Sequence, residues 1–356
     1  MADRLTEDAI VRALEAMSLL KADDATIVER LPDRDQWQAC RVCTDGGDLL
    51  VRSADRATCA AAHVYATTAA RHVPDFRPKV LGHDAGRGIL VEEWLDPGKY
   101  KSLAQELLLE SASIGWSTPF GDEDSTGMPF DWHLYWVGDK IGKIHAGTKG
   151  FVQAGNDAKA PATQAMPPET YWRAARSHPH LANRLRGIAE QSARAEPVLL
   201  HGRLSPRSVL FGDPEHVAIL GPDRIASGDP ALDLAHMMAH LFVASVHHFS
   251  SILVTTAGAF HAGYARTIDE GPGRLSIMQR AGPLTVAFML ALLDDERLSS
   301  VLDPEDKDLI LDFSQWWLGR RDYTLGQVRD ALWDAVDLPG VIDWRAKFES
   351  LPRADK

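Results

Sequence analysis

Between Val198 and Met238 the chain reads VLLHGRLSPRSVLFGDPEHVAILGPDRIASGDPALDLAHMM, and three kinds of reactive side chain crowd into that stretch. The guanidinium groups are Arg203, Arg207 and Arg224. An arginine stays protonated at physiological pH and has no acceptor atom, so it serves neither as a base nor as a cation ligand, but it recognises phosphate and carboxylate bidentately. Among the carboxylates, Asp223 is a candidate metal ligand, whereas Asp213 falls in the turn FGDPEH, where a turn-forming aspartate needs no further explanation. His236 and His240 stand four apart, a helical spacing that suits a metal. No glutamate lies between them as in H-E-x-x-H, and no third ligand is identifiable, so packing or surface roles are expected.

These groups must be positioned by a sizeable scaffold. With 356 residues, 45% of them hydrophobic and well distributed, the chain can bury one large core or two smaller ones joined by a hinge. The net charge of -12 is spread without a basic stripe, which argues against nucleic acid or an anionic membrane as a partner. No charged-then-apolar leader opens the chain. The longest apolar helical run, PLTVAFMLALL from Pro283, is too short for a bilayer. A soluble cytoplasmic protein is the expectation. Three cysteines are too few for a disulfide scaffold; Cys40 and Cys43 form a C-x-x-C, but on a strand the odd spacing turns them to opposite faces.

Thr6 is placed to cap an amphipathic helix carrying Ile10, Ala13, Leu14 and Met17. The alternation from Thr26 to Asp55, broken by LPDRDQW and by Gly46-Gly47, predicts a three-stranded antiparallel meander. An alanine-rich helix from Arg56 to Ala70 follows, then strands at Lys79 to Leu81 and Ile89 to Glu92. From about Lys99 the helical period dominates, interrupted by GWSTPFGDEDSTGMPFDW and by an Ala/Pro-rich stretch around Asn156 to Pro168. The acidic cluster Asp122, Glu123 and Asp124 in the first interruption reads as a solvated surface loop or as a lid over a ligand. The fold class is therefore α+β: a small antiparallel β-rich lobe over residues 1–97 and a larger, mainly helical lobe over 98–356, with the boundary near Asp96 to Gly98.

A β-rich lobe, a hinge strand ending LVEEWL, a helical lobe, then H-G-x-L-x-P-x-x-V-L-F and GDPALDLA together resemble the aminoglycoside phosphotransferase and choline kinase-like family. VGDKIGKIHAG before the segment and FHAGY after it extend the likeness from about Thr26 to Tyr264. The resemblance implies a protein-kinase-like two-lobe fold and transfer of the γ-phosphate of ATP to a small-molecule hydroxyl. Such chemistry is almost all positioning and charge neutralisation, by a carboxylate for the hydroxyl and by metal ions on the phosphates.

The family motif H-G-D-x-x-x-x-N has its base at the position of Arg203 and a metal ligand at that of Ser208. A second metal aspartate stands seven residues before the G-D-P glycine, which here is Gly221. The glycine-rich phosphate turn is replaced by LPDRDQW, and the acidic partner expected on the small-lobe helix is missing from ATCAAAHVYATTAA. Arg52 lies where the family has the basic residue that touches nucleotide phosphates. The framework persists in His201, Gly202, Leu204, Pro206, Gly228-Asp229-Pro230 and Asp233, whose counterpart braces the catalytic loop.

The expectation is thus a degenerate, pseudokinase member, a binding, regulatory or scaffold protein with no catalytic residue. The ligand-binding candidates are Arg52, Glu92, Trp94, His201, Arg203, Arg207, Ser208, Asp223 and Arg224. No cofactor is expected and the partner is an anionic small molecule or a protein, the latter suggested by Trp316, Trp317 and Trp333 near the C-terminus. The alternative is an active ATP- and Mg²⁺-dependent phosphotransferase with relocated residues, Asp223 among them.

Overall fold

Helix α1 (Glu7–Ala16) starts where the Thr6 hydroxyl accepts the Ala9 N–H at 3.3 Å, with Glu7 and Asp8 against the positive end of the helix. The computed structural model describes residues 6–21, 27–31, 37–107, 129–151, 169–212, 216–221, 226–248, 251–268, 272–320 and 323–337. Asp122, Glu123, Asp124, Asp213, Asp223, Arg224, the stretch 156–168 and most of the LPDRDQW turn lie outside them.

The first sheet is antiparallel throughout, in the order β1-β2-β3-β5-β4, from β1 (Ile27–Arg30), β2 (Gln38–Cys43), β3 (Leu49–Ser53), β4 (Val80–Asp84) and β5 (Ile89–Glu93). Strand parity assigns its two faces. Cys40, Val42, Val51, Ile89 and Val91 form a core with Ile10, Ala13 and Leu14 of α1. On the opposite face Leu90 packs with Trp37, Ala54, Cys59 and Ala62, the last two from helix α2 (Arg56–His72). Cys40 is thereby a core residue, and burial pushes the Cys59 thiol up to about 12.

The chain divides into two compact units, residues 1–101 with 210–225, and residues 102–209 with 226–356. The segment 210–225 joins the first unit through a hairpin. There the Ile219 N–H donates to the Arg77 carbonyl at 3.0 Å, and Gly212 sits where a Cβ would lie 3.1 Å from the Lys99 carbonyl oxygen. Its strands β8 (Val209–Phe211) and β9 (Val217–Ile219) form a small sheet with β6 (Lys101–Ser102).

The second unit is helical apart from β7 (Val198–Leu200) and β10 (Ala226–Gly228), which pair antiparallel. Its helices are α3 (Leu103–Glu106), α4 (Pro129–Gly147), α5 (Glu169–Ser177), α6 (Ala182–Ala193), α7 (Ala231–His247), α8 (Ser251–Thr267), α9 (Pro272–Leu292), α10 (Glu296–Ser299), α11 (Pro304–Leu318) and α12 (Leu325–Asp337). Helix α7 is apolar nearly all round and is buried between α8 and α9. The packing of α4 on α8 depends on glycine: a Cβ on Gly138 would lie 2.0 Å from the Phe260 carbonyl oxygen, and one on Gly263 would lie 1.9 Å from that of Tyr135.

Both α11 and α12 pack on α9. Trp317 is 1% exposed and meets Tyr323 edge-on at 4.8 Å, so it belongs to the core. The Trp316 ring carries the Arg320 guanidinium at 4.1 Å, and Trp333 is exposed. The run PLTVAFMLALL lies in the buried helix α9, and no helix among the described residues is long and apolar enough to cross a membrane.

Candidate functional site

Strand β7 ends at Leu200 and hands the chain to a loop, residues 201–208, that is fastened from beneath. Asp233, in the first turn of α7, accepts the backbone N–H of His201 on Oδ2 and that of Gly202 on Oδ1, each at 2.7 Å. Gly202 has φ +79, and a Cβ there would meet that of Ala226 at 3.1 Å, so the turn requires glycine.

His145 from α4 supports the carboxylate. Its Nε2 lies 3.3 Å from Asp233 Oδ2, and its Nδ1 lies 2.9 Å from the Tyr264 hydroxyl on α8. Burial pushes the Tyr264 phenol well above its usual range, so it keeps its proton. For Asp233 burial works to raise the pKa. The His145 hydrogen bond and the His201 amide outweigh it and hold the carboxylate below its ordinary value. The glycine-mediated contact of α4 with α8 is what brings His145 to Tyr264.

The loop has three further ties. The Asp229 carboxylate takes a two-pronged salt bridge from Arg280 at 2.8 and 2.9 Å and accepts the Ala231 N–H at 3.0 Å. His236 Nδ1 donates to the Leu204 carbonyl at 2.8 Å. The Ser208 hydroxyl donates to the Ser205 carbonyl at 2.7 Å and accepts the Ser205 N–H at 3.1 Å. Ser208 is thus a local cap of the short turn 206–208, its one proton spent on backbone.

The loop itself, HGRLSPRS, carries no carboxylate. Arg203 is exposed and Arg207 half-buried. His201 is buried, and its Nδ1 accepts the Arg203 N–H at 3.4 Å.

The first unit holds Arg52, Glu92 and Trp94. Leu50, Arg52, Leu90 and Glu92 share one face of the sheet by register, the face toward α2. Arg52 forms a fork on Glu92, with Nε to Oε2 at 2.6 Å and Nη2 to Oε1 at 3.0 Å, and its guanidinium lies 4.3 Å from the Trp37 ring centre. Glu92 is 1% exposed and Trp37 5%. The acid beside Arg52 is thus carried by strand β5. Sequence reading did not pair these three residues, because the register of β3 on β5 that puts Arg52 and Glu92 on a common face is not local. Gly221 belongs to the same unit, and a Cβ on it would lie 3.8 Å from Arg52 Nη2. Trp94 is engaged elsewhere, under the Arg41 guanidinium at 5.0 Å.

Magnesium with ATP does not fit the donor set of the described residues. The base position carries an exposed guanidinium, Gly221 has no side chain, and the Ser208 hydroxyl is held by backbone; Mg²⁺ asks for anionic oxygens. Among the described residues no group of three histidine, cysteine, aspartate or glutamate side chains is placed to hold a metal.

Residues 130–269 match the sequence model of the phosphotransferase enzyme family. In structure the chain is similar to the amicoumacin kinase hAmiN, solved with AMP-PNP, Ca²⁺ and Ami, at 12% identity and a TM-score of 0.52, covering 97% of this chain and 98% of that one. It is also similar to an ethanolamine kinase of Plasmodium vivax at 11% identity and a TM-score of 0.50, covering 98% of this chain and 93% of that one. Comparison with curated proteins gives no match. These likenesses show a protein-kinase-like fold, and residues 130–269, which hold the HG and GDP framework of the braced loop, are similar to the phosphotransferase enzyme family.

Proposed function

We propose that the chain is a non-catalytic member of this family, a binding or regulatory protein that keeps the phosphotransferase loop as a rigid platform and performs no phosphoryl transfer. One observation carries the reading: the loop is tied down by Asp233, His236 and the serine cap, yet the residue it presents at the base position is Arg203. A guanidinium cannot accept the proton of an attacking hydroxyl, and it repels the divalent cation that phosphoryl transfer needs. Its chemistry favours an anion held directly, without metal.

Arg52 supports the same reading from within its own unit. Its charge is balanced by Glu92 and its face is covered by Trp37, so the group that touches nucleotide phosphates in the family is here spent on protein. The test is ADP release from Mg-ATP by the purified protein, alone and with choline, ethanolamine or an aminoglycoside as acceptor. The reading expects ADP at the rate of the uncatalysed control in every case. Magnesium-dependent ADP release that copurifies with the protein would overturn it.

A further inference from the structure

In the first unit, helix α2 packs on strands β4 and β5 with little to grip them. Apart from Tyr65, its buried residues are one threonine, one cysteine and four alanines. Side chains this small bury little apolar area, so the contact gains correspondingly little from burial. Strand β4 is the edge of its sheet, held by β5, and it carries a bulge between Val80 and Gly82. One large contact ties the helix to this strand. The rings of His63 on α2 and His83 on β4 stack with centroids 4.3 Å apart and planes 19° apart.

Register explains why the rings meet. His83 stands opposite Leu90, and Leu90 belongs to the face that packs on α2, where Cys59 lies one turn before His63. Both histidines are half-buried, and His83 Nε2 is buried and hydrogen-bonds to nothing among the described residues. The charged and titratable groups around them are Asp55 and Cys59 from α2, Asp84 from β4, Glu92 from β5 and Arg52 from β3. The carboxylates are engaged elsewhere. Asp84 accepts the Arg87 N–H at 3.0 Å and its Nη1 at 3.2 Å, Asp55 caps α2, and Glu92 is forked by Arg52. Burial and the neighbouring ring hold the His63 imidazole below its usual pKa, and burial outweighs Asp84 to do the same for His83.

We propose that the His63–His83 stack is an acid-sensitive latch of the first unit, which fastens α2 to the edge strand while both rings are neutral and lets go when they are protonated. Like charges at 4.3 Å repel, and a charged ring in a half-buried contact loses its water. In an imidazolium both ring nitrogens are donors, and the buried Nε2 of His83 has no acceptor among the described residues, so the charge is met by opening. Both folded-state values lie below the unfolded one. The contact is therefore at full strength above the ordinary imidazole range and weakens as the pH falls through it. The latch stands apart from the reading of the loop 201–208, and turnover of Mg-ATP neither supports nor removes it.

Cys59 reports the opening, because it is fully buried on the same helix. Cys40, buried on the other face of the sheet, is the internal control. The full-length protein is labelled with dithiodipyridine, which attacks thiols in mild acid as well as at neutral pH, and the two sites are read by peptide mass spectrometry. From about pH 7.5 to about pH 5.5, labelling of Cys59 relative to Cys40 should rise about fivefold or more in the parent. The His63→Phe, His83→Phe double variant keeps two stacked rings without a titrating nitrogen, and its ratio should stay within about 1.5-fold. The single variant His63→Phe gives the same comparison should the double variant not fold. A parent ratio that stays flat, as it does when both cysteines open together in global unfolding, would overturn the latch. An equal rise in the folded variant would overturn it too.

Discussion

The two sides of the loop 201–208 differ completely. Beneath it, the Asp233 carboxylate is satisfied by two amides and a histidine, and that histidine by a tyrosine. Above it stand a guanidinium at the base position and a serine spent on its own turn. On the proposed non-catalytic reading, a loop keeps the full cost and benefit of being positioned while losing the groups that positioning serves. Stability and chemistry are held by different atoms of the same eight residues.

The comparison breaks most visibly from below. Asp233→Ala removes a buried charge from two N–H donors and from His145, and should cost about 3–5 kcal/mol in urea unfolding. Because the folded-state pKa of Asp233 lies below its unfolded value, its contribution is present above the ordinary carboxylate pKa and is lost as the pH falls through the folded value. The variant should accordingly lose less stability than the parent on acidification.

Next comes the packing that delivers His145. Gly263→Ala forces a methyl against the Tyr135 carbonyl oxygen and should cost about 1–3 kcal/mol, read as a lowered midpoint in the same unfolding series. A smaller effect concerns protons. His240 is held neutral by burial and by its cationic neighbours, while the unfolded imidazole titrates near its usual value. Stability should fall by at most about 1 kcal/mol for this residue between about pH 7 and about pH 5.5, and His240→Gln should remove that part of the slope. Least of all, Arg203→Ala changes an exposed side chain of the upper face and should shift stability by less than about 0.5 kcal/mol. A large loss there would show that Arg203 belongs to the framework and would erase the contrast.

Much of this was legible in the sequence. The meander, the two helices of the first unit and the later strands follow from periods of two and of about 3.6 residues, and the HG and GDP spacing located the braced loop. The part that was not legible depends on contacts across long separations. Trp37 stands just before β2, Arg52 on β3 and Glu92 on β5, and no local pattern announces that this arginine is forked onto a buried glutamate. Tyr264 stood in a recognised motif, but its bond to His145 requires knowing that glycines let α4 and α8 touch. His240 was read as a packing or surface histidine, and its ring packs edge-on against that of His236. Trp317 was weighed both as an interface residue and as core packing of a terminal helical extension, with core packing favoured, and its burial against Tyr323 places it in the core.

The most direct test of the central claim is a thermal-shift titration of the full-length protein with ATP, with and without Mg²⁺. A ligand at about 100 times its Kd stabilises the folded state by roughly 2.7 kcal/mol, so even weak binding is visible. The non-catalytic reading predicts that adding Mg²⁺ produces no additional shift at any ATP concentration. A clear Mg²⁺-dependent rise in Tm would contradict the account and show that carboxylates elsewhere in the chain hold the metal.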